Sequence, residues 1–344
     1  MIDESLYINF REIDGYNVPY NIISTTRGYG KTYGMKKNVI NQWDKHKKRF
    51  AYLFRRPVNL QELAESGSNP FSDFNEDNGR SIYWKRRGFF EQTHDEESKK
   101  DIENQIGYNF IISKYASYKP SSYRDVSRIW FDECVIEHDS EETYLTKEPD
   151  KLQNICDTII RNRDDVRVFL TCNALEAYNP YAIKWDLQIP RDGSYIWVSP
   201  NRMYLVYFRV PQEFIEARKN TLFGRAVSEL DYANFSFGNQ FVSGNDLFII
   251  KKPKGCKYMF TINSESYPLG VWTNGRYIYI DKDYQSTYPI IMSVSIMNQT
   301  IGGALIGTSN KMFQRLVLYM RNGLIFYGDR DVKEISLAIF KKYL

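Results

Sequence analysis

The sequence predicts two α/β domains in succession. Three observations carry that expectation: apolar runs alternate with helix-period segments over the first two hundred residues, the character changes between 210 and 245, and alternating strands followed by periodic helices begin after 246. Strand-helix alternation builds a parallel sheet covered by helices, whereas alternating strands joined by short turns build an antiparallel meander. Boundaries are therefore expected at 1–209, 210–245 and 246–344, the middle piece being a small linker region. At 344 residues the chain suits about two cores.

Taken in order, Val18 to Ser24 is a buried strand that leads into Ser24-Thr25-Thr26-Arg27-Gly28-Tyr29-Gly30-Lys31-Thr32. From Lys31 to about Asp44, Met35, Val39, Ile40 and Trp43 recur at helical spacing. The charged run Lys45 to Arg49 reads as a solvated face, and Phe50 to Phe54 as a second strand ending in Arg55-Arg56. Residues 67–80 are rich in turn formers and are expected to be a mobile surface insertion; Asp95 to Glu103 is expected to be similar. Ile82 to Trp84 and Tyr108 to Ile112 read as strands.

Arg128 to Phe131 is an apolar strand ending in Asp132-Glu133. An amphipathic helix follows from Asp150 through Leu152, Ile155, Ile159 and Ile160, ending at Arg161 to Asp165. Val166 to Cys172 is another buried strand, with Asn173 at its carboxyl end, and aromatic-rich strands lie near Tyr195 to Val198 and Met203 to Phe208. Pro211 to Leu230 reads as a charged helical piece. Beyond the linker, Lys257 to Ile262, Leu269 to Trp272 and Arg276 to Ile280 form the meander, and Met312 to Met320 and Val332 to Phe340 supply helices to cover it.

Composition narrows the functional classes. Apolar residues make up 42% and charged residues 26%, which excludes wholesale disorder. No apolar run approaches the roughly 18 residues needed to span a bilayer, and Met1 to Ser5 lacks a basic signal-peptide start, so no membrane partner and a cytosolic protein are expected. Cys134, Cys156, Cys172 and Cys256 form no C-x-x-C pair and read as buried small hydrophobes; His46, His94 and His138 lie in no metal-binding pattern. From Asp246 onward 13 Lys and Arg face 7 Asp and Glu, a net +6, against −2 for the rest of a chain whose total is +4. The basic tail is what a polyanionic partner would select, and equally what a basic surface without function looks like.

Two motifs carry chemistry. Thr25 to Thr32 approaches the phosphate-loop pattern G-x-x-x-x-G-K-[ST], with Thr25 where glycine is usual. Backbone N–H groups of such a loop and the following helix N-terminus cradle phosphates; Lys31 would bridge them and the Thr32 hydroxyl would hold Mg²⁺ of a bound Mg·ATP. A hundred residues on, Asp132 reads as the carboxylate of the Mg²⁺ shell and Glu133 as the base for the attacking water, with Asn173 placed to help position that water. Taken alone, each pattern is also what a glycine turn or a strand reaching solvent looks like.

With Arg27-Gly28-x-Gly30-Lys31-Thr32, Phe54-Arg55-Arg56, Val126-Ser127, Phe131-Asp132-Glu133, Arg161-Asn162-Arg163, Asn173-Ala174, Asn179-Pro180-Tyr181, Thr221-x-Phe-Gly-Arg225, Asn239-Gln240-Phe241 and Leu269-Gly270-Val271-Trp272 in hand, the chain resembles the DNA-packaging ATPases of phi-29-type short-tailed bacteriophages. The resemblance implies an FtsK/HerA-like ATPase domain of the ASCE class and an RNase H-like C-terminal domain that is a nuclease in fold only. It implies an ATP-hydrolysing pentameric ring that drives double-stranded DNA into an empty procapsid at its portal vertex in the host cytoplasm. A structural RNA stands as an open further partner. By resemblance Arg161 is a trans-acting arginine finger, and Lys119 belongs to the same subunit interface. Asp281, Asp283, Asp329 and Asp331 read either as Mg²⁺ ligands or as turn residues. Two other functions stay open: a P-loop kinase, against which Glu133 stands because it suits water activation, and a non-enzymatic nucleic-acid or capsid adaptor with a decayed loop, for which Thr25 speaks.

Overall fold

The computed structural model describes residues 3–85, 88–95, 99–136, 142–173, 179–187, 196–227, 248–295, 299, 303–307 and 309–341. His138, Ala174, Tyr195, Asn239 to Phe241 and the expected linker from 228 to 245 lie outside them. Two compact units form. One comprises Met1–Val135, Asp150–Leu175 and Gln188–Gln240; the other comprises Ile136–Pro149, Glu176–Leu187 and Phe241–Leu344. The helices along the chain are α1 (Phe10–Gly15), α2 (Lys31–His46), α3 (Pro57–Glu65), α4 (Ser72–Asn78), α5 (Glu148–Ile160), α6 (Pro180–Trp185), α7 (Gln212–Lys219) and α8 (Leu222–Val227), followed by Lys311–Arg321 and Arg330–Lys341.

The first unit is built on β1 (Tyr20–Ser24), β2 (Arg49–Phe54), β3 (Ile82–Lys85), β4 (Gly88–Asp95), β5 (Lys100–Ile111), β6 (Val126–Phe131), β7 (Arg167–Cys172), β8 (Ile196–Val198) and β9 (Tyr204–Tyr207). They form one sheet in the order β3-β4-β5-β2-β6-β7-β1-β9-β8. From β5 to β9 every pairing is parallel, with antiparallel strands at both ends. All six residues of β6 are buried, as a strand covered on both faces requires. Strand β7 lies between β1 and β6, the interposed strand of the expected ASCE arrangement. Because these strands run the same way, the segments that follow β1, β2, β6 and β7 all emerge at one edge of the sheet.

Four expectations are corrected. Residues 67–80 are not a loose insertion, since Phe71 and Phe74 are buried and ring centroids of Phe71 lie 6.0 Å from Phe50 and 5.4 Å from Phe89. Each such burial contributes about 1.5–3 kcal/mol, enough to order a helix as short as α4. The asparagines that looked like turn formers instead pair with β3: Asn69 and Asn75 Nδ2 both donate to the Ile82 carbonyl, at 2.7 and 2.6 Å. Nor is 95–103 a loose charged stretch, because β4 and β5 pair through Asp95↔Lys100, and His94 Nδ1 lies 2.9 Å from Asp101 Oδ1. The piece from 211 is two helices broken after Lys219, where Thr221 Oγ1 accepts from the Gly224 N–H at 3.0 Å and starts the second. Arg49 likewise leaves the solvated run, donating to Asp125 and to the Tyr108 hydroxyl at 2.6 Å each.

The second unit contains β10 (Lys257–Asn263), β11 (Pro268–Thr273), β12 (Ile278–Asp281), β13 (Ile291–Ser293), β14 (Ala304–Leu305) and β15 (Ile325–Tyr327), in the order β14-β13-β10-β11-β12-β15. The first three are the expected antiparallel meander. Strand β13 runs parallel to β10, and β14 parallel to β13, which gives the RNase H-like sheet. Helix Lys311–Arg321 buries Phe313, Leu316, Val317 and Met320, one stripe at helical spacing, in a core with Phe260, Ile262 and Val271.

Candidate active site

Strand β1 delivers the chain at Ser24 into the loop, and Gly30 caps α2 at φ +83°. Gly28 is also left-handed, at φ +74°, a conformation glycine adopts at little cost. Thr25 is absent from the left-handed set and is fully buried, so the backbone there does not require the usual glycine. Its hydroxyl and that of Thr26 are buried without a hydrogen-bond partner. Tyr29 is buried too, against Phe214 of α7 at 4.8 Å.

Lys31 is buried and turns back into its own loop, donating from Nζ to the Thr25 carbonyl at 2.9 Å and the Thr26 carbonyl at 2.8 Å. Burial lowers its ammonium to about 8; Cys172 and Asp132 oppose the shift, and Arg218 and Arg27 add to it. Thr32 Oγ1 donates to Asp132 Oδ2 at 2.9 Å, so the two motifs, a hundred residues apart, meet. The other carboxylate oxygen, Oδ1, accepts from Thr171 Oγ1 at 2.5 Å and from the Glu133 N–H at 3.1 Å, while Trp130 Nε1 donates to Thr171 at 3.1 Å. Thr171 was missed from sequence, although a lone hydroxyl in the apolar run Val-Phe-Leu-Thr-Cys was its signal.

Glu133 stands exposed at φ +51°, on a turn held from beneath by the buried Arg55, whose Nη2 donates to the Cys134 carbonyl at 2.7 Å. Asn173 follows β7, and Cys172 pairs in register with Ser24 beside the loop. The sheet edge thus gathers Thr25 to Thr32, Arg55, Asp132, Glu133 and Asn173. It does not gather Arg161 or Lys119. Arg161 ends α5 ahead of β7, and its Nη2 donates to the Ser121 carbonyl at 2.8 Å; Lys119 precedes β6, its Nζ 5.8 Å from the Tyr115 ring centroid. Arg161 is exposed at the amino edge of the same strands, the opposite end from Lys31, whereas Lys119 is exposed on the connection that leaves the carboxyl end of β5 for the start of β6.

In the second unit the acids are paired with cations or hydroxyls. Lys282 Nζ lies 2.9 Å from Asp329 and 3.1 Å from Asp331, Lys252 is 2.5 Å from Asp283, and the Tyr279 hydroxyl donates to Asp281 at 2.8 Å. Among the described residues no group of three or more His, Cys, Asp or Glu could hold a metal ion, and no helix is long and apolar enough to cross a membrane.

The family model of the podovirus DNA encapsidation protein (Gp16) matches residues 2–344. The chain belongs to the podovirus DNA encapsidation family. Among its encapsidation relatives, the DNA packaging protein of Bacillus phage phi29 is 28% identical over 353 residues, with 99% of each chain covered. That of Bacillus phage B103 is 27% identical over 335 residues, covering 95% of this chain and 98% of its own. A chain of the bacteriophage Phi-29 viral genome packaging motor assembly matches with a TM-score of 0.57 at 27% identity, covering 98% of this chain and 99% of that one. A chain of the Phi-28 gp11 DNA packaging motor reaches 0.60 at 17% identity with 98% of both covered, a likeness of fold.

Proposed function

We propose that this encapsidation-family chain is an ATP hydrolase that moves double-stranded DNA into a procapsid as a ring motor at the portal vertex, in the host cytoplasm. The observation that carries the reading is the 2.9 Å bond between Thr32 and Asp132, beside the buried Lys31 and the exposed Glu133. A hydroxyl and a carboxylate that share a proton here are the pair that would hold Mg²⁺, and the left-handed glycines and buried threonine hydroxyls leave a polar cradle for phosphates. Mg²⁺ held by Thr32 and Asp132 would neutralise charge developing on the transferred phosphoryl group.

Lys31 would exchange its two loop carbonyls for phosphate oxygens, that is, neutral acceptors for anionic ones. Glu133 would accept the proton of the attacking water, and Asn173 would orient that water. Arg161 lies at the opposite edge of the sheet from its own loop, and Lys119 stands exposed on the connection before β6. They suit a neighbouring subunit's site, in keeping with the pentameric ring that the resemblance implies. The packaging names borne by the relatives and the +6 excess beyond Asp246 support duplex DNA as the polyanion; a structural RNA remains an open partner. The kinase reading loses ground because Glu133, exposed beside the metal pair, suits activation of water rather than of an acceptor hydroxyl, and the adaptor reading because Thr25 fits the loop.

The test is ATP turnover by the full chain with and without duplex DNA at low salt. We expect several-fold stimulation that fades as salt screens phosphate contacts, independent of DNA sequence. Turnover indifferent to DNA would remove the motor reading; absent turnover in both arms would favour the adaptor.

A further inference from the structure

Helix α7 lies against the phosphate loop through two side chains one turn apart. Phe214, 1% exposed, meets Tyr29 of the loop edge-on at 4.8 Å and Tyr7 at 5.5 Å. Four residues on, and so on the same helix face, Arg218 lays its guanidinium on Gly28: a methyl group there would stand 3.2 Å from Cζ and Nη1 and 3.4 Å from Nη2. A side chain at Gly28 would both crowd the guanidinium and strain a backbone at φ +74°.

We propose that Arg218 is a phosphate-contacting residue supplied by the same subunit, which closes the loop over bound nucleotide and lets α7 report whether phosphate is present. The inference rests on the phosphate-loop reading. Its geometric core is the guanidinium seated on the loop's left-handed glycine; that Arg218 also disfavours the Lys31 ammonium puts the two cations in one neighbourhood. Arg27 adds a third. Phosphate oxygens would meet all three cations, and an arginine fork matches such oxygens in pairs.

The response would not stop at α7. Thr221 Oγ1 donates to the Arg218 carbonyl at 2.8 Å, and a Cβ on Gly224 would lie 2.2 Å from that same oxygen, so α8 is fixed to the end of α7 without slack. A shift of Arg218 toward phosphate would therefore move both helices as one piece. This gives Thr221 and Gly224 of the motif Thr-x-Phe-Gly-Arg a mechanical task.

The experiment is titration of the full chain with a fluorescent ATP analogue and Mg²⁺, comparing wild type with Lys31→Ala, Arg218→Gln and Arg218→Lys. Lys31→Ala should abolish binding, Arg218→Gln should weaken it roughly tenfold or more, and Arg218→Lys should recover part of the loss at low salt. If Lys31→Ala binds like wild type, the phosphate-loop reading falls and this proposal with it. If Lys31→Ala is dead while Arg218→Gln binds like wild type, Arg218 alone is excluded. Should Arg218→Gln melt early, labelling of wild type with phenylglyoxal decides: Mg·ATP should protect Arg218, and equal labelling with and without it overturns the proposal.

Discussion

Glu133→Gln should bind Mg·ATP as tightly as wild type while turnover falls by about 10²–10⁴, the usual share of a positioned general base. Glutamine keeps the shape and loses the ability to take a proton. The loop should be untouched, because Lys31 bonds to the Thr25 and Thr26 carbonyls and Thr32 to Asp132, none of which involves the Glu133 side chain. The turn itself is held through backbone atoms, by Arg55 on the Cys134 carbonyl and by the Glu133 N–H on Asp132. Nucleotide affinity and ATP hydrolysis measured on one preparation separate the two effects. Retained hydrolysis would take Glu133 out of its role, and loss of binding would make it structural.

Arg161→Ala should remove ring turnover by roughly 10³–10⁵, the range of an arginine supplied across an interface. The loss should be recovered in part by mixing with Lys31→Ala subunits. Each partner repairs the other: one brings an intact loop, the other an intact arginine, and an adjacent pair makes one working site. The placement motivates this, since Arg161 is tied to the Ser121 carbonyl at the edge of the sheet away from the loop. That exposed bond contributes little to stability, so the variant should melt near wild type. Mixed rings that stay dead at every ratio would contradict a trans role.

The elements that face the site were readable because strands buried on both faces appear as unbroken apolar runs: β1, β2, β6 and β7 stand where such runs predict them. Both chemical motifs were legible, and so was the meander, through its alternation. What escaped depends on tertiary context. Phe71 and Phe74 hide among turn formers, and only their packing on Phe50 and Phe89 turns that stretch into a helix. The outer part of the β4–β5 ribbon, residues 92–94 and 100–103, is mostly polar and exposed, so alternation gave no signal there. Thr171 and Arg218 act through neighbours more than thirty residues distant, as the bond to Asp132 and the contact with Gly28 show. The roles of Arg161 and Lys119 came from family resemblance alone, and residue type and periodicity carried no trace of them.

The central claim is that Lys31 meets the phosphates of ATP, and proton linkage tests it most directly. In the free protein burial holds the Lys31 ammonium at about 8, below its ordinary 10.5. Bound phosphate favours the charged form, while the nucleotide's own terminal phosphate is already ionised in this range. Affinity for Mg·ATP should therefore be flat below about pH 8 and fall by about tenfold per unit above it, with one proton taken up per nucleotide bound. Calorimetric titration in buffers of different ionisation enthalpy measures that proton. Uptake that appears only above about pH 8 is the predicted result; tight binding with no proton uptake at pH 9 would contradict it.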